Sequence, residues 1–124
     1  MRAFCATSIA IAASVLFALS PRCASAHAFP SSEQPTAGAT VDAAPAGVEI
    51  RFDNPIEAMF GHLQVFDSSG ADVTSGPPAV SKDGVTLSAQ LKPLTPGDYT
   101  VKWSVVAEDS HRTEGVYTFT VSGR

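Results

Sequence analysis

The 124-residue sequence predicts an all-β fold, a small antiparallel β-sandwich of about seven strands. Three observations carry that prediction. Apolar and polar residues alternate at period two in several short runs, and Gly, Pro, Asp and Ser turn signals recur at intervals of about ten residues. A tryptophan, Trp103, falls in the middle of the longest alternating run. From His27 to Gly47 no 3.6-residue apolar periodicity appears, which argues against an opening helix.

The first 26 residues read as an export signal. Arg2 supplies the positive charge, Ala3 to Leu19 the apolar stretch, and Ala24-Ser25-Ala26 the small-residue cleavage pattern. An uncleaved membrane anchor competes with this reading, because the apolar stretch is near the lower length limit for crossing a bilayer. The small-x-small ending followed by polar sequence favours cleavage. The expected organisation is a cleaved secretory signal peptide over 1–26 and one sandwich domain over 27–124, a size that supports a single core. Both cysteines, Cys5 and Cys23, fall in the removed segment, and Ser20-Pro21-Arg22 is a poor context for lipid attachment at Cys23. The mature chain then has neither a disulfide nor a thiolate ligand.

Each strand has its own warrant. His27 to Glu33 suits an edge strand, where Pro30 and Pro35 withhold no needed amide donor. Val48-Glu49-Ile50-Arg51-Phe52 alternates cleanly and stops at Asp53-Asn54-Pro55; Ile56 to Phe60 is a short helical turn or an irregular crossover. His62 to Phe66 puts Leu63 and Val65 inward and His62 outward, and Asp67-Ser68-Ser69-Gly70 is turn chemistry. Ala71 to Val80, interrupted by Pro77-Pro78, yields one or two short edge segments before the hairpin signal Lys82-Asp83-Gly84. Val85, Leu87, Ala89 and Leu91 then line one face of a strand. After the corner Pro93 to Gly97, Tyr99, Val101, Trp103, Val105 and Ala107 line another, and Val116 to Val121 closes the set. Tyr99 fits a tyrosine-corner position, its hydroxyl spent on backbone. Tyr99 and Trp103 read as core, and Met59 as filling a core gap.

Charge narrows the partners. Eight Lys and Arg against twelve Asp and Glu give a formal net charge of -4, and loss of Arg2 and Arg22 takes it to -6. With no basic patch to neutralise phosphates, nucleic acid is excluded as a partner, while a cationic ligand is electrostatically favoured. Once cut, the chain has no stretch able to span a membrane.

The chemistry concentrates in two places far apart in sequence. Cutting between Ala26 and His27 leaves a free amine and an imidazole on one residue, His27. Asp109 and His111, one residue apart, share a side in an extended chain and can reach one cation. Taken alone, Asp-x-His reads as a solvated turn with Asp109 bonded to Ser110 or His111. Taken with His27, it completes a set of three nitrogens and one carboxylate oxygen. Tetragonal nitrogen and oxygen donors suit Cu(II), whereas Zn(II) prefers a tetrahedron. The amine must be deprotonated to bind, so affinity falls as pH drops. Glu108 and Glu114 flank the loop and either add field strength or serve solubility.

From His27 to its end the chain resembles the CopC family of periplasmic copper-binding, copper resistance proteins. The resemblance is carried by His27 with Ser31-Ser32, Pro35-x-x-Gly38-Ala39, Ala44-Pro45, Val48-x-Ile50-x-Phe52 with Pro55-Ile56-Glu57, and Phe60-Gly61. It continues in Leu94-x-Pro96-Gly97-x-Tyr99-x-Val101-x-Trp103-x-Val105-Val106, Asp109-x-His111 and Gly115-x-x-x-Phe119-x-Val121. It implies an immunoglobulin-like Greek-key β-sandwich, a Cu(II) site at His27, Asp109 and His111, and a non-enzymatic carrier or buffer in copper homeostasis. Its implied partners are the copper ion and an inner-membrane CopD-like transporter. Some members add a Cu(I) site in a Met- and His-rich loop; Asp67 to Val80 contains neither residue, so a single Cu(II) site is expected. Some carry a carboxylate where Asn54 stands, which removes an accessory acidic group, and a Pro where Arg112 stands, which leaves the loop less rigid beside a cation.

Two rival readings remain at this point. A histidine-brace copper enzyme, similar to lytic polysaccharide monooxygenases, needs an open equatorial position and a flat binding face; Asp109 would fill such a position, and surface aromatics are few. A metal-free interaction module would fail to bind Cu(II) at all.

Overall fold

The computed structural model describes residues 27–123. The expected signal peptide, with Cys5 and Cys23, lies outside the described residues. In chain order the strands are β1 (Pro30–Gln34), β2 (Thr40–Val41), β3 (Gly47–Phe52), β4 (His62–Phe66), β5 (Ala79–Val80), β6 (Thr86–Gln90), β7 (Gly97–Val106) and β8 (Arg112–Val121), with a 3₁₀ turn at Ala58–Phe60. They form two four-stranded sheets, ordered β1-β3-β6-β5 and β2-β8-β7-β4.

Alternation drives the packing. Val48, Ile50, Phe52, Leu87 and Ala89 from the first sheet face Leu63, Val65, Val101, Trp103, Val105, Phe119 and Val121 from the second, and all are buried. Polar partners of each pair point to water. Phe52 meets Trp103 edge-on across the two layers at 5.3 Å, and Tyr99 stacks on Phe119 at 5.4 Å. The Tyr99 hydroxyl donates to the Thr95 carbonyl at 2.5 Å, closing the corner that precedes β7. Tyr117 is buried with its hydroxyl unpartnered, and loss of hydration together with nearby Glu33 raises its pKa.

The expected set of about seven strands becomes eight. The addition is β2, two residues long, which runs parallel to β8 with Thr40 opposite Thr120. Edge strand β1 begins at Pro30, where a proline costs no ladder bond, and leaves 27–29 as an arm. Met59 is a correction: it does not fill the core but stands 88% exposed on the 3₁₀ turn, none of whose residues is buried. The turn is only three residues long, and Ile56, bridged to Ala107, already closes the core beneath it.

One end of the sandwich gathers the distant segments. Pro30 pairs with Phe52, so the arm before β1 runs alongside Asp53 and Asn54 just after β3. At the same end β7 passes into β8 through residues 107–111, with Val106 opposite Arg112.

Candidate metal centre

Asp109 sits in a turn, not in extended chain. The Ser110 amide donates to the Ala107 carbonyl at 2.9 Å, the Ala107 amide to the His111 carbonyl at 3.0 Å, and Ser110 takes a left-handed φ of 68°. The His111 amide donates to Asp109 Oδ1 at 3.0 Å, an Asx-type turn. Side-chain alternation therefore does not bring Asp109 and His111 to one side; the turn does. The turn and the cluster coexist because the carboxylate has two oxygens.

The second oxygen, Oδ2, lies 2.6 Å from His27 Nδ1 and 3.2 Å from His111 Nδ1. The two imidazoles are 4.3 Å apart between centroids. Ligand atoms of His27, Asp109 and His111 all fall within 4.8 Å of one another, the one such group of three among the described residues. His27 and Asp109 are half-buried and His111 is open to solvent, so the cluster has a wet entrance.

Electrostatics favour a bound cation. Partial desolvation works to raise the Asp109 pKa, but hydrogen bonds from the His111 amide and from the two imidazoles outweigh it and leave the pKa lowered. The carboxylate is thus ionised at neutral pH, with an imidazole nitrogen on either side of one oxygen. Both facing nitrogens are Nδ1. For His27 that is the nitrogen which closes a six-membered chelate with the same residue's own main-chain nitrogen.

Residues expected elsewhere stay apart. Exposed His62 sits opposite Ser104 on the outer sheet face, where exposed Glu114 also pairs with Ser104. Arg112 reaches back along that face to donate to Ser104 Oγ at 2.9 Å, which ties the loop's far side to β7. Two contributors were not anticipated. Asn54 Nδ2 donates to the His27 carbonyl at 2.8 Å, and the Thr113 hydroxyl to the Ala28 carbonyl at 2.7 Å. Thr113 is the second residue of β8, ahead of the expected Val116 to Val121 strand, and no alternating apolar pattern marks it. No helix among the described residues is long and apolar enough to cross a membrane.

The model of the CopC domain family matches residues 31–122. The copper transport protein CutJ of Bacillus subtilis is 32% identical over 103 residues, which is 82% of this chain but 19% of CutJ, so the chain spans about a fifth of that relative. Protein YobA of Escherichia coli K12 is 34% identical over 101 residues, 77% of this chain and 79% of YobA. Among solved structures, CopC from Methylosinus trichosporium OB3b superposes with a TM-score of 0.74 at 31% identity, covering 79% of this chain and 96% of that one. PcoC, a methionine-rich copper resistance protein from Escherichia coli, gives 0.69 at 29% identity, covering 78% of this chain and 100% of its own.

Proposed function

This chain belongs to the CopC family, and from that premise we propose that it binds copper as Cu(II) at one site, acting as a periplasmic carrier or buffer in copper homeostasis. The ligands are the amine and Nδ1 of His27, the Asp109 carboxylate and the imidazole of His111. The observation that carries the reading is a single ionised oxygen, Asp109 Oδ2, with the two Nδ1 atoms at 2.6 and 3.2 Å.

Without metal, imidazole N–H groups satisfy that oxygen. Copper would bind the deprotonated amine and the bare Nδ1 atoms, the proton of a neutral imidazole moving to Nε2, so binding displaces the amine proton and weakens in acid. Nitrogen and carboxylate oxygen, with no thiolate or thioether in the set, are donors that favour Cu(II) over Cu(I). Four protein donors would satisfy a tetragonal Cu(II) without a substrate ligand, which supports a binding protein over an enzyme.

The amine exists only after cleavage between Ala26 and His27. Residues 1–26 are accordingly read as a removed secretory signal and 27–124 as the copper-binding domain. A copper transporter of the inner membrane, CopD-like, is the proposed recipient.

The test is a Cu(II) competition titration of protein beginning at His27 beside protein with one residue added before it. The extended form keeps both imidazoles and the carboxylate but has its amine displaced, and should bind at least tenfold more weakly. Equal affinities would sink the amine as a ligand.

A further inference from the structure

Three consecutive residues of the arm are held through their backbones. The His27 carbonyl accepts from Asn54 Nδ2 at 2.8 Å and the Ala28 carbonyl from the Thr113 hydroxyl at 2.7 Å. The Phe29 amide donates to Asp53 Oδ1 at 2.7 Å, and the Asp53 amide to the Phe29 carbonyl at 2.9 Å. Between these anchors Ala28 is fully buried, at 0% exposure, as part of the core cluster.

A chain end with one core contact and no other anchor frays. Ordering it on metal binding would subtract from affinity, because the backbone and side-chain freedom of His27 would be lost at that moment. Here that freedom is already restricted. Neither Asn54 nor Thr113 touches a ligand atom; each bonds a carbonyl on or next to the ligand residue. None of the anchored groups is the His27 nitrogen, so cutting the peptide bond to Ala26 removes none of these bonds.

We propose that Thr113 and Asn54 are positioning residues that lock the arm in register with Asp109 and His111, so that cleavage creates the amine ligand in place. This rests on the copper reading of the site. The entry into β8 makes the arrangement economical: His111 just before the strand supplies a ligand, and two residues later Thr113 anchors the arm that carries the opposing one. Outer-sphere partners of this kind typically change metal affinity by about 10- to 100-fold when removed.

The test uses protein beginning at His27 with Thr113→Val, Thr113→Ser and Asn54→Ala, and two readouts. In metal-free protein, release of His27 by an aminopeptidase should quicken by about tenfold in T113V and N54A and stay near the parent rate in T113S. Cu(II) affinity by competition should fall by about tenfold in the same two variants and be retained in T113S. Unchanged trimming and unchanged affinity in T113V would overturn the proposal. A fall in affinity with trimming unaltered would overturn it as well, because the hydroxyl would then act other than by holding the arm. Parent protein that binds no Cu(II), with trimming still quickened in T113V, would overturn the copper reading while leaving the clamp established by the protease readout.

Discussion

At the scale of single residues, Asp109 divides its two oxygens between the turn and the imidazole pair. Oδ1 caps the turn through the His111 amide, and Oδ2 faces the imidazoles. The expectation that follows concerns which histidine matters. His111→Ala should weaken Cu(II) by more than the 10- to 100-fold typical of an outer-sphere partner, because it deletes a direct donor. His62→Ala should change nothing in the same competition titration, since His62 is exposed on the outer face opposite Ser104. An effect of His62→Ala equal to that of His111→Ala would move the site to another face. Met59 teaches the complementary lesson. Its side chain suits a core gap in the abstract, but on a three-residue 3₁₀ turn lying over an already closed core there is no gap to fill.

At the scale of elements, β7 and β8 form the frame on which the loop is hung, and Trp103 stands opposite Gly115 in their ladder. A Cβ placed on Gly115 would meet Trp103 ring atoms at 2.7 to 2.9 Å, and the indole is wedged edge-on against Phe52 and cannot simply swing away. Gly115→Ala should therefore destabilise the domain by about 1–3 kcal/mol, the usual cost of overpacking. Denaturant unfolding measures it, and a neutral result would mean that the indole has room to move. The same strands show how far the sequence could be read. Tyr99 to Val105 alternates apolar with polar residues because one face meets core and the other does not, and Val106 alone breaks the outer side, so the inward residues were legible from the pattern. Two-residue β2 was not, since two positions contain no period and its pairing is parallel. The cluster of His27, Asp109 and His111 was legible as a residue set, because a histidine after a cleavage pattern was read together with a distant Asp-x-His. Its geometry was not, because the positive φ of Ser110 falls on a non-glycine residue that carries no signal for it.

At the scale of the whole molecule, acid should be the destabilising direction. Asp67 accepts from the Ser69 hydroxyl and amide and from the Ala71 amide, and these bonds lower its pKa from 3.8. Asp72 and Asp83 are lowered in the same way, chiefly by the hydroxyls of Thr74 and Ser81. A carboxylate whose folded pKa is depressed binds fewer protons than its unfolded counterpart. Its contribution is complete well above pH 3.8 and is lost as the pH falls below that value through the folded pKa. Thermal melts should thus be flat near neutrality and drop below about pH 4, with Asp67→Ala showing a smaller drop than the parent. A melting temperature that holds down to pH 2 would contradict this assignment.

The direction of β8 has a consequence for how the domain can be tethered. This strand leaves the metal loop at Arg112 and runs ten residues to Val121, so whatever is joined beyond it emerges about 30 Å from the histidines. An affinity handle, a fluorophore or a surface linkage attached there leaves the mouth of the site pointing outward and unobstructed. The same attachment ahead of His27 would occupy the nitrogen that the proposed copper site needs.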